Sequence, residues 1–320
     1  MPTLQHLAVI MAPLRNIGAD GYPTDYLAAR VRGRRAQLLA TERGGRPARA
    51  AEESSDEAIW NGLLTEFDWL RRQMNPRMRA IFAPVFTLFC IKTLVLAVRS
   101  KAAERHASVE RLMRHELFAD GLREALVAAP EPSAAVAAIT GAFAPLIGDA
   151  RGIAAAYAEG GVKAFESRLM RDFLSGVAAA RLHPAIRRFF EAFVDLRNVM
   201  TLYKHLRWGI HDAAAFVAGG TVPVARLAEA SSRGDHACLE SCAGELLGPA
   251  AIAAAAGEAF LESRLLSRLT ERLHKAGRQG DECDLVLDYV WSVYVQARNR
   301  ALRLHAGDVG AETLGRELIA

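Results

Sequence analysis

The sequence predicts an all-α protein, and three observations carry that prediction. Half of the residues are apolar (51%) while aromatics are few (7%), and the abundant Ala, Leu, Arg and Glu head the helix-propensity ranking. Long runs repeat apolar residues three and four positions apart, which lays them along one face of a helix. No run shows the β-branched alternation bounded by turn residues that marks strands. With 320 residues, the chain is long enough for two or three compact units at about 150 residues each.

The elements follow in chain order. The opening MPTLQHLAVIMAPL is apolar but lacks a basic leading region and a small-residue cleavage site, so it does not read as a signal peptide. The stretch 30–49, RVRGRRAQLLATERGGRPAR, holds seven arginines against the single Glu42. It reads as a helix with a solvated arginine face that runs into a polar loop over 42–57, where Ser54 or Ser55 offers an N-cap. The run 81–98, IFAPVFTLFCIKTLVLAV, approaches the ~18–20 apolar residues of a membrane span, but Pro84 and Lys92 interrupt it. A helix apolar all round is equally one enclosed by other helices. No second segment supports an integral membrane protein, so we read this run as core and expect a cytoplasmic chain.

Polar stretches at 104–108 and 209–212 mark breaks, and AAPEPSA (128–134) and GGTVP (219–223) mark turns. Between them, 193–208 (FVDLRNVMTLYKHLRW) carries a stripe of Leu196, Val199, Met200, Tyr203 and Leu206. Arg197, Thr201, Lys204 and His205 fall opposite, and Gly209 is a stop. The run 288–307 (DYVWSVYVQARNRALRLHAG) carries Val290, Tyr294, Ala297, Ala301 and Leu304 and closes on Gly307.

Self-similarity organises these elements. FESRLMRDFL (165–174) and LESRLLSRL (261–269) both spell Glu-Ser-Arg-Leu, 96 residues apart, and Arg207 and Arg303 share that spacing. A third long helix, within 88–101, ends on Arg99. The chain therefore reads as three units, 1–103, 104–209 and 210–320, each a small helical bundle closing on a basic residue. On that plan Glu66, Glu166 and Glu262 would pair across helices with Arg99, Arg207 and Arg303.

Little in the sequence asks for bond chemistry. Phosphate-loop, dinucleotide, zinc-protease and nucleophile-elbow motifs are missing, and the acidic Glu52, Glu53 and Glu57 sit in or beside the polar loop. His205 reads as a surface or helix-end histidine. His236, Cys238 and Cys242, with Cys283 or His274 as a fourth, could ligate a metal in an all-helical thiol or metal enzyme, but they lack the close Cys pair of structural zinc sites. Cys90 sits in an apolar run as a small hydrophobe. A helical nucleic-acid-binding module using the basic stretch 30–49 is the other competing reading, set against a mild net charge of +4 and no DNA-binding motif.

Tyr26-Leu-Ala-Ala-Arg30-Val-Arg32, DLRNVMTLYKHLRW at 195–208 and YVWSVYVQARNRALRLHAG at 289–307 resemble the C subunit of the archaeal and bacterial V/A-type ATPases, the counterpart of the d subunit of eukaryotic V-ATPases. The shared pattern is an early tyrosine followed by an A-R-V-R-type segment, and a D-x-x-N helix closing on Arg, matched by Asp195, Asn198 and Arg207. Arg298-Asn299 matches the Arg-Asn pair of the last helix, while Thr87, Cys90 and Gln296 depart from the acidic and amide positions. The resemblance covers nearly the whole chain. It implies a funnel of three pseudo-equivalent helical bundles, without a cofactor and without catalysis of its own. Such a protein is a rotor part on the cytoplasmic face of the membrane, one copy per complex, between the central stalk and the proteolipid ring. Its contact residues here would be Arg30, Arg32, Arg34 and Arg35 on the first helix and the basic helix ends Arg99, Arg207 and Arg298.

Overall fold

The structure is a computed structural model that describes residues 13–18, 20–43, 55–115, 117–147, 150–247, 258–305 and 317–319. Residues 1–12 of the opening run, residues 44–54 of the predicted polar loop and Gly307 lie outside the described residues. Among the described residues there are twelve α-helices, one 3-10 turn and no strand beyond two isolated backbone bridges, so the chain is all-α. It divides into two compact units, Met1–Ile186 and Arg187–Ala320.

The first unit contains α1 (Thr24–Arg43), α2 (Asp56–Gln73), α3 (Pro76–Ala102), α4 (His106–Leu112), α5 (Asp120–Ala128), α6 (Pro132–Ile147) and α7 (Ala150–Ala179). Ser55 caps α2, its hydroxyl accepting from Ala58 N at 3.2 Å. Asn75 caps α3 in the same way, accepting from Met78 N at 2.9 Å, and Pro76 follows at a position whose N–H would be unpaired in any case. Among the described residues α3 is the helix long and apolar enough to cross a membrane, and 83% of its most apolar window is covered by the chain itself. Lys92, the cation inside that window, lies 3.6 Å from the centroid of the Trp60 ring, where the π face receives it. Phe67 on α2 meets Phe86 and Phe89 on α3, each at 5.5 Å between ring centroids. Burial of one such side chain stabilises by about 2 kcal/mol, so packing more than propensity holds α3 at the centre of the unit.

Helices α6 and α7 pack along each other, with Phe143 against Phe173 at 6.2 Å. Within α7 the helix breaks at Gly160 and Gly161. Gly161 takes φ +64 and ψ −156, a conformation open to glycine almost alone.

The second unit begins in the first turn of α8 (Pro184–Trp208) and continues through a 3-10 turn (Ala213–Ala215), α9 (Val224–Arg233), α10 (His236–Leu247), α11 (Glu258–Gln279) and α12 (Glu282–His305). Gly209 ends α8 as expected, at φ +64. Trp291 on α12 is fully buried; its Nε1 donates to Thr270 Oγ1 on α11 at 2.8 Å, and its ring lies 5.8 Å from Phe189 on α8. Both Glu-Ser-Arg-Leu segments are helical and bury equivalent residues: Phe165, Leu169 and Phe173 on α7, and Leu261, Leu265 and Leu269 on α11.

The buried line of α8 differs from the predicted stripe. Leu196, Val199 and Met200 of that stripe are buried, but Tyr203 and Leu206 are only half-buried, and the buried face extends instead through Val194, Asp195, Asn198, Leu202 and His205. His205, expected on the polar face, is 5% exposed. The reason is that Asp195, Asn198 and His205 find hydrogen-bond partners inside the unit, so polarity does not send them to solvent.

Candidate functional site

Two asparagines on long helices make the same connection to the chain downstream. Asn198 on α8 donates Nδ2 to Val217 O at 2.8 Å and accepts from Val217 N at 2.9 Å. Asn299 on α12 donates to Ile319 O at 2.8 Å and accepts from Ile319 N at 3.1 Å. Each amide thereby satisfies both backbone groups of one buried residue in an irregular strap, where no helix or sheet supplies partners. Asp195 fastens the first strap again, accepting from Thr221 Oγ1 at 2.6 Å and from Val222 N at 3.0 Å.

The two asparagines are 101 residues apart, whereas the Glu-Ser-Arg-Leu segments are 96 apart. Both spacings hold. Helix α11 runs 17 residues beyond Glu262, to Gln279, but α7 runs only 13 beyond Glu166, to Ala179, so the second copy carries a longer leading helix.

In the first unit Cys90, which the resemblance sets against the amide position, is a buried thiol that burial pushes up to about 12 against the opposing pull of the neighbouring Arg71. Arg71, on α2, takes over the fastening. Its Nη1 donates to Leu117 O at 3.2 Å and its Nη2 to Arg15 O at 2.8 Å. Arg79 donates Nε to Arg71 O at 3.0 Å and Nη1 to Ile17 O at 2.7 Å. Burial lowers Arg71 to about 10, which leaves it a cation at neutral pH.

The predicted contact arginines are not equivalent. The Arg30 guanidinium carbon lies 5.4 Å, 5.9 Å and 5.6 Å from the ring centroids of Tyr22, Tyr26 and Trp69. Arg34 lies 4.4 Å over Trp69 and forks the Glu66 carboxylate at 2.9 Å and 3.2 Å. Arg32 is exposed and Arg35 half-buried on the same helix. Arg99 pairs with Glu166 at 2.7 Å, Arg207 donates to the Tyr203 hydroxyl at 2.9 Å, and Arg298 donates to Glu317 O at 3.1 Å. The expected pairs are thus corrected: Glu66 takes Arg34 and Glu166 takes Arg99, and Glu262 and Arg303 form no ion pair among the described residues. Reach between facing helices, not membership of one repeat, decides which charges meet. The half-exposed Arg99–Glu166 pair contributes about 0–1 kcal/mol.

The thiols of Cys238 and Cys242 lie 3.9 Å apart, one turn from each other on α10. Burial, then the neighbouring thiol, pushes Cys242 up to about 12, so it stays protonated. His236 is exposed at the start of that helix, and the Nδ1 of His274 is engaged with the buried Asp288 carboxylate. Among the described residues, the ligand set suggested by the sequence is not gathered around the thiol pair. The part of the basic stretch from 44 to 49 lies outside the described residues.

His205 Nδ1 meets Ser231 Oγ at 3.0 Å, and that hydroxyl donates onward to Ile210 O at 3.2 Å. The serine is therefore a structural link between α8 and α9 rather than an activated nucleophile. Burial lowers the pKa of His205 from its ordinary 6.5, opposed by Asp212 and assisted by His211. A histidine with a lowered folded pKa binds fewer protons folded than unfolded, so stability falls as pH drops below about 6.5. His115 on the first unit, lowered mainly by burial, acts in the same direction. The urea midpoint should fall between pH 7.5 and pH 5.5, and His205→Gln should flatten that fall. An unchanged slope in the variant removes His205 from the account.

A family model described as ATP synthase (C/AC39) subunit matches residues 46–299, from ahead of α2 to the asparagine of the last clamp. No curated protein matches the chain.

Proposed function

The chain belongs to the ATP synthase (C/AC39) subunit family, and from that premise we propose that it is a non-catalytic rotor component of a V/A-type ATPase. In this reading it couples the central stalk to the proteolipid ring and so links ATP turnover to ion transport. It sits peripherally on the cytoplasmic face of the membrane, one copy per complex, and uses no cofactor. The observation that carries the reading is the family match over 46–299.

The strap clamps support a mechanical role. A part that transmits torque has to resist shear, and dense helix packing gives a protein interior low compressibility. Tying irregular segments to the long helices through paired hydrogen bonds extends that stiffness to chain that helices alone leave loose. The repeat of helix and clamp at Asn198 and Asn299 also supports three pseudo-equivalent bundles, 1–103, 104–209 and 210–320, forming a funnel. The contact residues we assign are Arg30, Arg32, Arg34, Arg35, Arg99, Arg207 and Arg298. Of these, Arg298 also holds the strap at Glu317.

Affinity purification of the chain from gently solubilised native membranes, followed by mass spectrometry, tests the assignment. Recovery of stalk and proteolipid subunits in fixed ratio, at one copy of this chain, is the expected result. Recovery of the chain by itself refutes it.

A further inference from the structure

We propose that Arg30 is the anchor for a carboxylate on a partner protein of the complex, with Tyr22 and Tyr26 receiving the apolar side chain beside that carboxylate. The inference rests on the rotor reading and adds to it one specific contact and its chemistry.

Arg30 differs from the other predicted contact arginines in how its guanidinium is held. Arg34, Arg99, Arg207 and Arg298 each have a hydrogen-bond acceptor inside the chain. Arg30 takes no hydrogen bond or ion pair among the described residues; what surrounds it is three aromatic rings. Ring contacts engage the guanidinium through its π-facing charge and leave its N–H edge for a planar acceptor, and a carboxylate matches that fork with two parallel hydrogen bonds.

The surface is built rather than incidental. Tyr22 N donates to Gln73 O at 2.9 Å, and Asn75 Nδ2 reaches Tyr22 O at 3.4 Å, so the segment carrying Tyr22 is tied to the turn between α2 and α3. Gly21, at φ +68, lets that segment approach the turn: a Cβ there would lie 2.1 Å from Met74 O. Leu27 and Val31 anchor α1 with no exposure at all, which fixes where its outer face points. Against that fixed background Tyr22 and Tyr26 touch each other at 4.8 Å between centroids while remaining 40% and 49% exposed. Two large rings left half in water beside an ordered, unsatisfied cation are what a contact surface keeps ready for a partner.

Composition decides between protein and lipid. Anionic membranes attract runs of uncompensated Lys and Arg; α1 does carry the exposed Arg32 and the half-buried Arg35, but the cation that shares the Trp69 ring with Arg30, Arg34, is neutralised by Glu66. Tyr, Trp and Arg together in a small patch are the residues that dominate protein–protein contact energies.

The test is competitive assembly in the native host. Wild-type chain and a variant, carrying different tags, are co-expressed, and their ratio in the purified ATPase complex is measured. Arg30→Ala and Arg30→Lys should both be outcompeted about tenfold or more, because lysine keeps the charge but loses the fork. Tyr26→Ala should be outcompeted less strongly, and Arg233→Ala, an exposed arginine outside the assigned contacts whose partner Glu229 lies one turn away on the same helix, should incorporate within about twofold of wild type. Urea unfolding of each free variant, matching wild type, assigns the loss to contact and not to folding. Equal incorporation of Arg30→Ala overturns the proposal, and full incorporation of Arg30→Lys overturns the fork in favour of charge alone. Normal incorporation combined with lost binding to phosphatidylglycerol vesicles would make the surface a lipid contact and overturn it too. Wild-type chain absent from any ATPase complex would overturn the rotor reading itself, and that outcome is visible before any variant is compared.

Discussion

Asn198→Leu should destabilise the second unit by about 3 kcal/mol. The substitution keeps the volume of the side chain but leaves Val217 N–H and C=O without their partners, at a residue 1% exposed. An orphaned buried polar group costs about 1–3 kcal/mol, and here two are created at once. Asn198→Asp should fall between the leucine variant and wild type, because its carboxylate still accepts from Val217 N but cannot donate to Val217 O. Urea midpoints, with hydrogen exchange read at Val217, check both. A midpoint within about 0.5 kcal/mol of wild type, with Val217 still protected from exchange, would show that the clamp is decoration. A cycle with Asp195→Ala should show coupling, since Asp195 and Asn198 fasten the same strap.

Gly21→Ala should cost the first unit about 3 kcal/mol. Its φ of +68 already strains an L residue by about 1–2 kcal/mol. The added Cβ would also sit 2.1 Å from Met74 O and 2.7 Å from Asn75 N, both backbone atoms in a turn that cannot swing away like a side chain. Relief requires opening the pairing of Tyr22 with Gln73 and Met74, so the Tyr22 side of the Arg30 surface should be lost together with stability. Gly18→Ala, where a Cβ meets nothing within 4 Å, is the control and should lie within about 0.5 kcal/mol of wild type. Trp69 fluorescence and the urea midpoint together check the pair. An unchanged midpoint in Gly21→Ala would mean that the turn yields.

What the sequence made legible was local. Helix content, the Ser55 cap, the turn before Pro132 and the stop at Gly209 follow from residue type and spacing, and they are found. The long apolar helix could be read as core because Lys92 and Pro84 interrupt it, and the chain does cover it. What was not legible depends on which atoms meet. The asparagines at 198 and 299 stood out as a motif, but their partners, Val217 and Ile319, are ordinary apolar residues contacted through backbone atoms, which leave no mark in a sequence. His205 was misplaced for the same reason: a buried histidine satisfied by Ser231 has the same letter as an exposed one. Among the four predicted contact arginines of α1, only coordinates separate Arg34, which Glu66 claims, from Arg30, which three rings hold.

The amide clamps also bear on how such a chain can diverge. An asparagine that recognises N–H and C=O is blind to the side chain between them, and the two straps already differ, with valine at one and isoleucine at the other. Any residue that fills the same apolar niche can occupy the strap, so the clamp constrains the helix letter and leaves the strap letter open.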